Sequence, residues 1–146
     1  MNPYNPDDLD TNCVFVTMSR LSDKPYQTLK NDLGLINAET GSDMRISMDT
    51  MKWWQWKIRE KYHSHVQFFM VPTGNTYTSR ELCQLKCEEW IVSRVGLLYE
   101  DPDNSQHAIC FEHTDQGYKF RDWQIGQEVN VDPQGPAAII SIVSPP

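Results

Sequence analysis

Cys13 stands at the start of a run of helix formers. Asp10, Thr11 and Asn12 are N-cap residue types, and Cys13-Val14-Phe15-Val16-Thr17-Met18-Ser19-Arg20-Leu21 has the apolar content of a mostly buried helix. The first turn of a helix has unpaired backbone N–H groups and the positive end of the macrodipole, so it favours negative charge. A thiol in such a position is drawn toward thiolate, the nucleophilic form. A thiolate nucleophile needs a partner that exchanges protons near neutral pH, which is the chemistry of histidine. The imidazole in turn needs a carboxylate or amide to fix its tautomer and orientation.

Four histidines are available: His63, His65, His107 and His113. His107 opens Gln106-His107-Ala108-Ile109-Cys110-Phe111, a strand pattern, and a second strand, Tyr118 to Asp122, follows the turn Thr114-Asp115-Gln116-Gly117. About such a turn, residues whose numbers add to 229–231 lie opposite one another, and His107 with Asp122 adds to 229. Hairpin geometry alone therefore predicts Asp122 across from His107, where cross-strand side chains are ~5 Å apart. Cys110 is three residues from His107 and is expected on the other face as packing. His113 returns to the His107 face and is the reserve base.

The elements that must hold these groups divide in two. A short helix is expected over Pro25 to Leu33, stopped by Gly34. A further helix runs over Thr50 to Tyr62, capped by Asp49, with Met51, Trp54 and Ile58 on one face. Val66 to Val71 reads as a strand. Thr78-Ser79-Arg80-Glu81 is a capping box opening a helix with Leu82, Leu85, Trp90 and Ile91 before Gly96. The period then becomes two: Leu97 to Tyr99, Ala108 to Glu112, Tyr118 to Asp122 and Ala137 to Val143 are strand candidates. Helices followed by an antiparallel sheet make an α+β layout.

Composition bounds the rest. With 146 residues, 39% hydrophobic and 23% charged, the chain is the size of one domain, expected to span 1–146 with an irregular lead-in over 1–10 and a tail over 144–146. Thirteen basic against twenty acidic residues give a net charge of −7, which disfavours nucleic-acid binding. No apolar stretch approaches the ~20 residues of a membrane span, and Met1 to Asp10 lacks the features of a signal peptide. Cys13, Cys83, Cys87 and Cys110 are expected as free thiols.

Thr11-Asn12-Cys13 with Arg20-Leu21, then Gln106-His107-Ala108-Ile109, then Phe120-Arg121-Asp122-Trp123-Gln124-Ile125-Gly126 together resemble the papain-fold toxin domains called glutamine deamidase toxins, within the wider papain-like cysteine peptidase group. The resemblance runs from about Thr11 to Gly126, and between Gly34 and Val95 it is one of helical character alone. The chain departs from that pattern at Gln106, where a Gly is common, and at Ser22-Asp23-Lys24 after the Arg-Leu pair. The resemblance implies a papain-like α+β fold, with an N-terminal helical half carrying Cys13 packed against an antiparallel sheet carrying His107 and Asp122. It implies Cys13 as nucleophile, His107 as general acid and base, and Asp122 as the orienting residue. The activity implied is deamidation of glutamine on a target protein through a thioester, with proteolysis as the alternative. The oxyanion would be held by N–H groups at the start of the Cys13 helix; Asn12, Gln124 and Gln106 are side-chain candidates. No cofactor or metal is implied. The partners implied are a protein substrate and a cognate inhibitor or immunity protein, and the place of action is the cytosol of a target cell.

Plainer readings stand beside these. Cys13 as buried packing, His107 as a surface strand residue and Asp122 as a turn residue need no chemistry. Cys83 and Cys87, four apart on a helix, with His63 and His65, raise a zinc site. Trp53, Trp54 and Trp56 either grip a partner in a non-catalytic binding domain or line the core. Trp123 is expected to shield the His107–Asp122 pair from water. Glu88 with Glu89, and Asp101 with Asp103, read as solvated carboxylates rather than a glycosidase pair.

Overall fold

The computed structural model describes residues 2–8, 12–34, 48–100 and 106–144. Asp10 and Thr11, expected near the first helix cap, and Asp101 and Asp103 lie outside the described residues. The elements are α1 (Cys13–Ser22), α2 (Tyr26–Asp32), α3 (Met48–Tyr62), β1 (His65–Met70), α4 (Ser79–Trp90), β2 (Arg94–Glu100), β3 (Gln106–Thr114), β4 (Gly117–Asp122), β5 (Gln127–Val129) and β6 (Pro136–Val143). They form a mixed α+β structure around one six-stranded sheet, ordered β1-β6-β2-β3-β4-β5, with every pairing antiparallel. No helix among the described residues is long and apolar enough to cross a membrane.

Both faces of the sheet are covered. Leu98, Ala108, Cys110, Ala138 and Ile140 pack with α1, α2 and α3 through Phe15, Met18, Leu29, Trp54 and Ile58. Their strand neighbours Leu97, Ile109, Phe111 and Ile139 pack under α4 with Leu82, Cys83 and Cys87. Alternate residues thus enter opposite cores, so the central strands read as continuous apolar runs. The expected two-part layout is corrected in this respect: the helices flank the sheet on both sides, and β1 is pulled from the helical half to pair with the last strand, β6.

The element boundaries carry smaller corrections. The capping box at Thr78 and Glu81 forms as expected, with reciprocal hydrogen bonds of 3.1 and 2.9 Å. Asn12 stands at the N-cap of α1 but makes no capping hydrogen bond. α3 begins at Met48, so Asp49 lies inside it rather than before it. β5 has no expectation to match, because three residues are too few to show a period. Gly96 is a strand residue rather than a punctuation mark between helix and sheet. A Cβ there would stand 2.8 Å from Thr17 Cγ2 of α1 and 2.8 Å from Ile140 Cγ2 of β6. The missing side chain is what lets α1 settle onto β2.

A second device fixes α1. Arg20 Nε and Nη2 donate to the two carboxylate oxygens of Glu112 on β3 at 3.1 and 2.7 Å. Arg20 also lies over the rings of Trp123 and Tyr4, donates to the Tyr4 hydroxyl, and its carbonyl accepts from Arg94 at 2.9 Å. Burial alone would disfavour both charges. The mutual hydrogen bonds and attraction outweigh it, raising the Arg20 pKa and lowering that of Glu112. Nothing local in the chain pairs residues 92 apart.

Two stability outcomes follow. Gly96→Ala should overpack the α1–sheet contact and lower stability by roughly 1–3 kcal/mol, read as a fall in Tm. Glu112→Leu should leave the Arg20 guanidinium half-buried without its carboxylate, at a cost of about 3 kcal/mol, read by urea unfolding.

Candidate functional site

Three element ends meet at one end of the sheet. Cys13 is the first residue of α1, His107 the second of β3 and Asp122 the last of β4. His107 Nε2 lies 2.7 Å from Asp122 Oδ2, with the side chains 21% and 10% exposed. The same ring interacts with the Cys13 side chain, as a hydrogen-bond partner and as a charge. With Nε2 taken by Asp122, Nδ1 is the nitrogen left to face the sulfur.

The sequence placed His107 and Asp122 together, and they are together, with the β3–β4 register at the upper end of the expected 229–231, two residues from a direct His107–Asp122 pairing. Paired residues of β3 and β4 add to 231, as in Cys110 with Arg121 and Thr114 with Gly117. Continued by one step, Asp122 falls opposite Ile109, so His107 reaches it on the diagonal. Diagonal neighbours have Cα atoms roughly 7–8 Å apart, which two polar side chains can span.

The electrostatics of the pair set the charge of the ring. Burial opposes the imidazolium, but the Asp122 hydrogen bond and the Cys13 side chain outweigh it and push the His107 pKa from 6.5 up to about 10. At neutral pH the ring is therefore an imidazolium held between a carboxylate and a sulfur. It is poised to give a proton before it takes one.

The other thiols are in different surroundings. All four cysteines are free, and Cys13 alone is not buried. Burial pushes the Cys83 and Cys110 thiols well up, and that of Cys87 to about 12. They stay neutral and unreactive. Cys83 and Cys87 belong to the core under α4, and among the described residues no group of three His, Cys, Asp or Glu could hold a metal. His63 and His65 adjoin or lie on β1, three strands from β3 and so roughly 14 Å away across the sheet. His113, the reserve base, is exposed and stands against Tyr118, six residues or roughly 20 Å along β3 from His107. It is too far from His107 to take its place.

The start of α1 is held by amides. One end of the Gln124 carboxamide lies 3.2 Å from the backbone nitrogens of both Asn12 and Cys13. Two donors pointing at one atom make that end the oxygen, so Gln124 accepts both N–H groups and caps the helix in place of Asn12. The Gln124 backbone N–H donates to Asp122 Oδ1 at 3.0 Å. Asn12 is fully buried, one end of its carboxamide 3.0 Å from Asn5 Oδ1 and the other 3.2 Å from the Gln124 carboxamide, while Asn5 donates to the Gln124 carbonyl at 2.8 Å. Both Asn12 and Gln124, candidates for the oxyanion, are thus engaged in tying Cys13 to Asp122. Gln106 is exposed at the opening of β3, paired with Glu100. Asn5 in the lead-in was missed, since nothing in an irregular Asn-Pro segment marks it.

The tryptophans serve the frame. Trp54 is fully buried and Trp53 partly, leaving Trp56 exposed under Lys57. Trp123 adjoins Asp122 and is held by other partners. Its indole donates to Glu112 and its ring packs on Arg20 and Tyr4. Glu88 and Glu89 are solvated, Glu89 pairing with Lys86 at 2.7 Å.

In comparison with known proteins, no family model matches this chain, and no curated protein matches it.

His107 should titrate in the folded protein with a midpoint near 10, and Asp122→Asn should bring it down toward or below 6.5, read by NMR of the imidazole carbon-bound protons. The sign for stability follows from a folded value above the unfolded one. The His107 contribution is full below about 6.5 and is lost as the pH rises through about 10, so the stability difference between wild type and His107→Gln should shrink across that window.

Proposed function

We propose that this protein is a papain-like cysteine amidohydrolase, acting as a toxin or effector that deamidates glutamine side chains of a target protein. The observation that carries this reading is the bridging position of His107, held by Asp122 at 2.7 Å on Nε2 and interacting with Cys13. A nucleophile, a proton carrier and an orienting acid occur in the chain order Cys, His, Asp. The α+β architecture, with a helix carrying the thiol at its first residue, is compatible with a papain-like arrangement.

In the proposed reaction the Cys13 thiolate attacks the carbon of a glutamine carboxamide. The oxyanion is stabilised by first-turn N–H groups of α1 beyond that of Cys13, which Gln124 already engages. His107 gives its proton to the departing nitrogen, which leaves as ammonia and yields a thioester. The ring, now neutral, takes a proton from water, and the hydroxide so formed attacks the thioester carbon. Collapse of that adduct expels the Cys13 thiolate and leaves glutamate. The same steps on a backbone amide would make a peptidase, with an amine as the leaving group. A cognate inhibitor protein belongs to the same reading, and so does action in the cytosol of a target cell.

Limited treatment of the native protein with iodoacetamide, followed by peptide mapping, should label Cys13 well ahead of the three buried thiols. His107→Ala should slow the Cys13 reaction by at least about tenfold without exposing the others. Equal labelling of all four, or a Cys13 rate indifferent to His107, would refute the reading. Incubation with proteins of a cell extract should then add ~1 Da per event to an intact target, fragments instead marking the peptidase, and Cys13→Ser should abolish either product.

A further inference from the structure

One aromatic ring touches the imidazole of the site from a strand that none of the three site residues occupies. Tyr99 on β2 is the Cα partner of His107 on β3, and their rings meet edge to face, 5.8 Å between centroids and 86° between planes. The backbone has been bent to bring this about. From Gly96 to Leu98, β2 pairs with β6 in regular register, opposite Ile140, Ile139 and Ala138; Tyr99 then pairs with Pro136, so Ala137 is an extra residue on β6. A bulge of this kind increases the local twist and re-aims the side chains beside it. Immediately beyond, the strands are drawn together: Glu100 N–H donates to the Gly135 carbonyl at 3.0 Å. Gly135 has φ +66°, and a Cβ on it would lie 3.0 Å from the Glu100 carbonyl oxygen. The bulge therefore sits at the end of β2 beside the site, and it is closed by a glycine with little room for any side chain.

The ring position has a mechanical consequence. A histidine held at one nitrogen can still turn about that hydrogen bond. Asp122 fixes Nε2, and the Tyr99 ring packed against the imidazole limits rotation and excludes water from that side. Tyr99 is itself partly buried against the core under α4, with Leu97, Ile109 and Ile139, so it is not a loose side chain.

We propose that Tyr99, set by the β2–β6 bulge, is a positioning residue that fixes the His107 ring plane so that Nδ1 stays aimed at Cys13 while Nε2 stays bonded to Asp122. Tyr99 acts on the proposed reaction through His107 and touches no reacting atom; the inference rests on the nucleophile reading above only for its effect on Cys13. The aromatic face is what meets the imidazole, so phenylalanine should hold His107 as tyrosine does, and leucine, which fills the core without an aromatic face, should not.

The test uses the whole chain and two variants, Tyr99→Phe and Tyr99→Leu. The readouts are Tm, exchange of the His107 imidazole N–H proton with water by NMR at neutral pH, and the rate of Cys13 alkylation by iodoacetamide. The N–H resonance is assigned by its loss in His107→Gln. Wild type and Tyr99→Phe should exchange slowly and alkylate at matching rates. Tyr99→Leu should exchange at least about tenfold faster and alkylate correspondingly more slowly, with Tm within a few degrees of wild type. Unchanged N–H exchange in Tyr99→Leu would overturn the proposal, as would Tyr99→Phe behaving like Tyr99→Leu. Faster exchange in Tyr99→Leu, with Cys13 alkylation indifferent to both that variant and His107→Ala, would support the positioning and overturn only the nucleophile reading.

Discussion

The carboxylate of Asp122 has two partners, and the arrangement of the site follows from that division. Oδ2 takes the His107 ring and Oδ1 takes the backbone N–H of Gln124. Gln124 in turn carries its own carboxamide to the N–H groups of Asn12 and Cys13. A single anion at the end of β4 thereby fixes both the imidazole and, through one intervening residue, the first turn of the helix that bears the thiol. A hydrogen bond to an ionised group in a partly dry site is about twice as strong as a neutral one. Losing the carboxylate would free the ring and loosen the helix start together.

The rest of the molecule keeps that helix start at the right height above the sheet. Two features act at different points along α1. At its middle, Gly96 removes the side chain that would hold Thr17 away from β2. Near its end, Arg20 grips Glu112 on β3 with two hydrogen bonds. Because β3 carries both Glu112 and His107, the distance between Cys13 and His107 is set along one strand and one helix fastened to each other. A rigid pair of this kind suits chemistry that needs sulfur and nitrogen within proton-transfer range. Trp123 and Tyr4 enclose the Arg20–Glu112 pair.

The charge state of His107 gives the proposed reaction its direction. An imidazolium facing a sulfur is ready to supply the proton that a leaving amine requires, and after it has done so the neutral ring is the base that activates water. The three remaining thiols cannot compete, because burial keeps them protonated. In the proposed enzyme, reactivity is thus concentrated at one cysteine by differences of environment rather than of residue type.

The amino-acid sequence determined the local features: the helix beginning at Cys13, the capping box at Thr78, the β3–β4 turn, the buried face of Met51, Trp54 and Ile58, and the nearness of His107 to Asp122. Each rests on interactions between residues close in the chain, where capping, periodicity and turn chemistry act directly. The tertiary structure alone decided the meeting of Cys13 with His107, the Arg20–Glu112 grip, the amide chain through Asn5, Asn12 and Gln124, and the exact register that makes His107–Asp122 a diagonal pair. It also decided that β1 joins β6 and that α4 takes the far face of the sheet. These depend on which apolar faces pack and how closely backbones approach, as at Gly96 and Gly135, and packing is a property of the whole chain that no window of neighbouring residues contains.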